Sequence, residues 1–211
     1  MDRTSNSVEP GCQCSVPAPA ENDSGYGRIL WIALVANLAM FFIEAGVSLY
    51  AESAALLADA ADFLGDSGNY ALSLWALSHG VRARAGVALF KAAVMIGFGV
   101  LVLGRTVWLY GSAAVPDAAA MGSVAVLALV VNVAVAAMLF RFRGGDANMR
   151  SVWLCSRNDA ISNLAVLAAA IGVFGSGSSI PDLAVAGVMG GLSLTAGISV
   201  LRQARQEWRA S

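Results

Sequence analysis

Charge is scarce in this chain. Only 13% of its 211 residues are charged, against 58% hydrophobic, and its mean hydropathy is +0.69. That poverty excludes an ordinary soluble domain. No basic block is present, which excludes nucleic acid as a partner. There is one histidine, His79, and it sits beside Arg82 and Arg84 at the end of an apolar run, where it reads as an interfacial residue. No nucleophile with a base and an orienting group can be picked out, nor any motif for an organic cofactor, so the chain is not read as an enzyme. Period-two alternation is also missing, which argues against a membrane barrel.

What the chain has instead is long apolar runs rich in Ala, Leu, Val and Gly. Six of them, at 29–50, 54–78, 86–110, 118–140, 152–174 and 183–201, have about the twenty residues needed to cross a bilayer core as a helix. The expectation is an all-α membrane protein of six transmembrane helices, with a polar tail at 1–28, a membrane domain at 29–205 and a short tail at 206–211. Basic residues are sorted by side. Arg28, Arg82, Arg84, Arg141, Arg143, Arg150, Arg202, Arg205 and Arg209 fall on one face of a six-span weave, and the opposite loops carry Glu52, Asp117 and Asp182. The positive-inside rule then puts both termini in the cytoplasm of a multi-pass protein, read as bacterial and inner-membrane. Trp31, Trp108 and Trp153 lie near span ends, as aromatic belts do.

Against this background the intramembrane acids stand out, because a charge at the bilayer centre costs at least ~2.5 kcal/mol on insertion scales. Asp59, Asp62 and Asp66 form one stripe of the second run, and Cys155 and Asp159 share a face of the fifth. Residues four apart lie one turn apart on a helix, so two facing helices could offer three carboxylates and a thiolate to one ion. Such a donor set suits a tetrahedral divalent transition metal, and the thiolate favours zinc, cadmium or another thiophilic ion over magnesium or calcium. Asp59 and Asn158 are auxiliary candidates. Small polar residues also glue membrane helices through hydrogen bonds. Asn69, Asn158, Ser162 and Asn163 fit that role equally, and Cys155 also fits a small buried hydrophobe. Arg157 lies about 200° from Cys155 and Asp159, so it should point to the interface or to an acid such as Asp59 or Glu44. Asn37 and Glu44, seven apart on the first run, share a face and should line the cavity or tie the first helix to the others.

The segment Ser53 to Asp66 resembles the second transmembrane helix of the cation diffusion facilitator (cation efflux) family, whose pattern is approximately S-x-A-L-L-A-D-A-x-H-x-x-x-D. The resemblance extends through Asn37, Glu44, Lys91, Arg105, Pro116, Asn132 and Asp182, over about 29–205. It implies a six-helix bundle that exports a divalent transition metal, with protons moving the other way. It also implies two ligands from each of the second and fifth helices: Asp62, Asp66, Cys155 and Asp159. Asp62 stands where many members have His, and Cys155 where His is common. Familiar members continue into a cytoplasmic domain that helps them dimerise. A homodimer of this chain would instead use membrane surfaces, for which Ala186, Gly187, Gly190 and Gly191 allow close approach, although these residues could equally pack inside one protomer.

Cys12 and Cys14 form a C-x-C pair in the polar tail and could capture a soft ion on the cytoplasmic side. Two functions compete. One is a secondary transporter whose substrates are metal ions, zinc first, and protons. The other is a metal sensor or accessory protein that binds without transporting.

Overall fold

The computed structural model describes residues 24–76, 81–112, 114–142 and 147–210. They form six helices: α1 (Ser24–Tyr50), α2 (Ala54–Ala76), α3 (Val81–Ser112), α4 (Ala118–Phe140), α5 (Ala147–Ser176) and α6 (Ile180–Ala210). No strand occurs among the described residues. Cys12, Cys14 and His79 lie outside them.

Five helices are long and apolar enough to cross a membrane: α1, α3, α4, α5 and α6. The sixth expected span is the exception, for a physical reason. Helix α2 has 23 residues, enough to cross, but it carries Asp59, Asp62 and Asp66. It tolerates them because they face protein: every residue from 53 to 60 is buried, Asp66 is buried, and Asp62 is half-buried. The other helices have the pattern of an inside-out protein. Asn37, Glu44, Asn132, Asn163 and Asp182 are buried, whereas Trp31, Phe42, Trp108 and Phe174 are more than half exposed. Apolar surface outside and polar groups inside is stable only in lipid. The protein is an integral, multi-pass membrane protein.

Three connections meet at one end of the bundle. The α1–α2 turn closes on Glu52 in the left-handed region, φ 53°, with Ala51 N donating to Val47 O and Ser53 N to Ser48 O. Asp117 N donates to Ala51 O of that turn. The Asp117 carboxylate accepts from Ala119 N and Ala120 N, capping α4. At the α5–α6 turn, Gly177 takes φ 60°, a conformation that glycine adopts at little cost, and its N–H donates to Val173 O. Asp182, fully buried, then reaches across to the start of α2. It accepts from Ser53 Oγ (2.6 Å), Ala54 N (2.9 Å) and Ala55 N (3.1 Å). Ser53 Oγ in turn accepts from Leu56 N at 3.0 Å. The free N–H groups of α2 are thus satisfied by an anion supplied from another helix, where the helix dipole also favours it. Since Glu52, Asp117 and Asp182 all lie at this end, the up-and-down weave read from the sequence holds.

The most extensive helix contact is between α3 and α6, followed by the hairpin pairs α1–α2 and α4–α5. Small residues make the first possible. A Cβ on Gly99 would lie 3.2 Å from Leu194 N and 3.3 Å from Gly190 O, and one on Gly197 would meet Ile96 Cγ1 at 2.9 Å. Gly190 itself faces Val102 and Leu103, and Ala186 is fully buried, so these two serve packing inside the protomer. Helix α2 is central, touching α1, α3, α5 and α6.

Candidate metal site

Helices α2 and α5 pack against each other, so the two carriers of the sequence-derived ligands are neighbours. Asp66 is buried, and Asp62 and Asp159 are half-buried. Asp62 Oδ1 accepts a hydrogen bond from Ser193 Oγ of α6 at 3.2 Å. Asn163 Nδ2 donates to the Asp159 backbone carbonyl at 2.9 Å, which is the helix-internal use expected of a small polar residue. Cys155 falls on α5, and its side chain lies outside the described residues. Among the described residues no group of three or more His, Cys, Asp and Glu is gathered closely enough to hold an ion.

The aspartate stripe of α2 divides between partners. Asp59, fully buried, faces Glu44 of α1, whereas Asp62, three residues on and therefore about 60° around the helix, meets α6. Neither oxygen of Glu44 accepts a hydrogen bond from a described residue, and neither does Asp59 Oδ2. Glu44 and Asp59 are thus two buried acids that neighbour each other, one on α1 and one on α2. Asn37, on the same face of α1, is fully buried and donates to Ala33 O at 2.8 Å, with Oδ1 unbonded among the described residues. Asn132 is buried on α4 and Asn69 half-buried on α2.

Arg157 points away from the site. It is exposed, lies 5.5 Å over the Trp153 ring, and donates to Asn158 Oδ1 at 3.2 Å. Its partners are therefore on its own helix, and neither Asp59 nor Glu44 is among them. That arrangement keeps the guanidinium at the helix surface.

Three residues with a clear place in the site region carried no signal that singled them out in the sequence. Ser193 is one. The others are Tyr70 and Ser156, whose hydroxyl oxygens lie 2.7 Å apart in a fully buried hydrogen bond from α2 to α5. Only the spacing hinted at Tyr70: positions 62, 66 and 70 continue the same i, i+4 stripe.

A family model described as the cation efflux transmembrane domain matches residues 30–207. The chain belongs to the cation efflux family. Members of that family are transporters of metal cations rather than typical enzymes, and the cation is their substrate. No curated protein matches the chain. The cation efflux assignment agrees with the all-helical bundle, with five of its helices long and apolar and the acid-bearing one enclosed by the rest.

Proposed function

We propose that this chain exports a divalent transition metal ion, zinc or a similar thiophilic cation, from the cytoplasm in exchange for protons. Asp62, Asp66, Cys155 and Asp159 are the proposed ligands. The reading is carried by one observation: an aspartate-bearing helix, too costly to expose to lipid, is enclosed at the centre of a cation efflux bundle beside the helix that carries Cys155 and Asp159. Carboxylates and thiolates bind metal only when deprotonated, so metal and protons compete for the same groups, and that competition provides the coupling. Alternating access is proposed as a rocking of helices that opens the site to one side and then the other. The distribution of arginines supports a cytoplasmic position for both termini.

Reconstitution into vesicles tests this directly. Zinc added on the side of the termini should drive proton flux in the opposite direction, and Asp66→Ala or Asp159→Ala should abolish it. Zinc binding without flux would instead favour the sensor reading, and neither binding nor flux would overturn both.

A further inference from the structure

Tyr70 sits one turn beyond Asp66 on α2, and Ser156 sits three residues before Asp159 on α5. The two helices run antiparallel, α2 away from the end where Glu52, Asp117 and Asp182 gather and α5 toward it. Tyr70 and Ser156 therefore lie at one level, between the proposed ion ligands and the end of the bundle where α1 begins and α6 finishes, the termini side. Both are 1% exposed, and their oxygens are 2.7 Å apart. Ser156 Oγ also lies 3.3 Å from Val152 O, to which it donates. Either hydroxyl can donate in the bond between them.

Around this bond lies an apolar layer. Tyr26, Leu30, Val135, Leu139, Phe142 and Val152 pack with Tyr70, drawing on α1, α2, α4 and α5. The Tyr26 and Phe142 rings are 5.2 Å apart. This layer lies on the termini side of Asp66 and Asp159, against the α1, α2, α4 and α5 flank of the site.

We infer that the Tyr70–Ser156 hydrogen bond is a crossbar that holds the ligand helices together on the termini side of the ion site and parts each time the site opens to that side. This rests on the transport reading above. A buried hydrogen bond between neutral groups, with its apolar setting intact, has a net worth of about fivefold in an equilibrium constant. Removing it should therefore raise the population open to the termini side by about fivefold, and the apparent affinity for an ion presented there by up to the same factor.

The test is a double-mutant cycle with Tyr70→Phe, Ser156→Ala and the double variant, because each substitution removes one hydroxyl and little volume. Two readouts are taken on the full chain. Backbone hydrogen exchange over 67–76 and 152–158 should rise about fivefold in each single variant and no further in the double one. In vesicles, the KM for zinc supplied on the termini side should fall several-fold in all three variants. Maximal rate should not rise in proportion, a split that mere loosening of the fold would not produce.

Multiplicative effects in the double variant, or unchanged exchange in the single ones, would overturn the crossbar. A changed exchange rate with an unchanged KM would remove it from the path of the ion. If the unmutated chain moves no zinc, the transport reading fails and the gating role fails with it, while the exchange cycle still reports whether the bond couples the helices.

Discussion

Asp182→Ala offers the sharpest test of the bundle, because its consequence is independent of any ion. The side chain is fully buried and accepts three hydrogen bonds, from Ser53 Oγ, Ala54 N and Ala55 N. Hydrogen bonds to a charged group contribute about 1.5–3 kcal/mol each. The three do not add, since they share one anion whose burial itself costs energy and is relieved by the substitution. What remains is the cost of leaving two backbone N–H groups and a hydroxyl without an acceptor at the start of an enclosed helix, about 3 kcal/mol in total. For a chain of this length that corresponds to a fall in Tm of about 6–12 °C. Asp182→Asn should be milder, at about 2 kcal/mol, because the amide keeps one acceptor and sets its NH2 against a donor. Ser53→Ala should cost about 1–2 kcal/mol through loss of the cap on Leu56 N. Thermal unfolding in detergent micelles measures all three. If Asp182→Ala unfolded within about 0.5 kcal/mol of the parent, the claim that α6 supplies the cap of α2 would be refuted.

Other outcomes follow from neighbouring geometry. Ser193→Ala should weaken zinc binding about tenfold by freeing the Asp62 carboxylate to rotate, with Ser193→Thr restoring most of it, as read by competition titration. Gly99→Ala should cost about 1–3 kcal/mol, since the new methyl meets the backbone of Leu194 and Gly190. Gly104→Ala, with nothing within 4 Å of its Cβ position, should be neutral or stabilising in the same unfolding assay. Cys155→Ser should lower the preference for cadmium and mercury over cobalt and nickel in binding titrations; an unchanged order would remove the thiol from the proposed ligands.

Several boundaries were legible from composition. Helix α4 runs from 118 to 140 as read from the sequence, because Pro116 and Asp117 stop and cap it at one end and Arg141 marks the other. Helices α3, α5 and α6 instead run five, five and three residues earlier than their apolar runs began: 86 − 81, 152 − 147 and 183 − 180. Hydropathy marks where lipid ends, and a helix has no need to stop there.

Within the site region, the expense of intramembrane acids marks α2 and α5 from the sequence alone. No local pattern in the sequence divides the α2 stripe. Asp59 and Asp62 are 60° apart on a wheel, and which of them meets α1 and which meets α6 depends on neighbours more than 100 residues away in the second case. The sequence marks Asp182 as an acid of the loops opposite the arginines and through the family resemblance, with no role attached. Its work as a cap for a helix 127 residues earlier is tertiary, and no local pattern announces it. For Arg157 the sequence leaves two directions open, the interface or an acidic partner; the side chain is exposed, and the partners described for it, Trp153 and Asn158, lie within a turn of it on α5.

Helix α6 grips α2 at two heights, through Asp182 at the first residues of α2 and through Ser193 three turns deeper at Asp62. A rod pinned at one point can pivot; pinned at two it can lean only in company with what holds it, and it cannot slide lengthwise without tearing both rungs. Since α6 is itself seated groove-deep on α3 by Gly99 and Gly197, a push on either of those helices is delivered to the aspartates of α2 as a shared displacement.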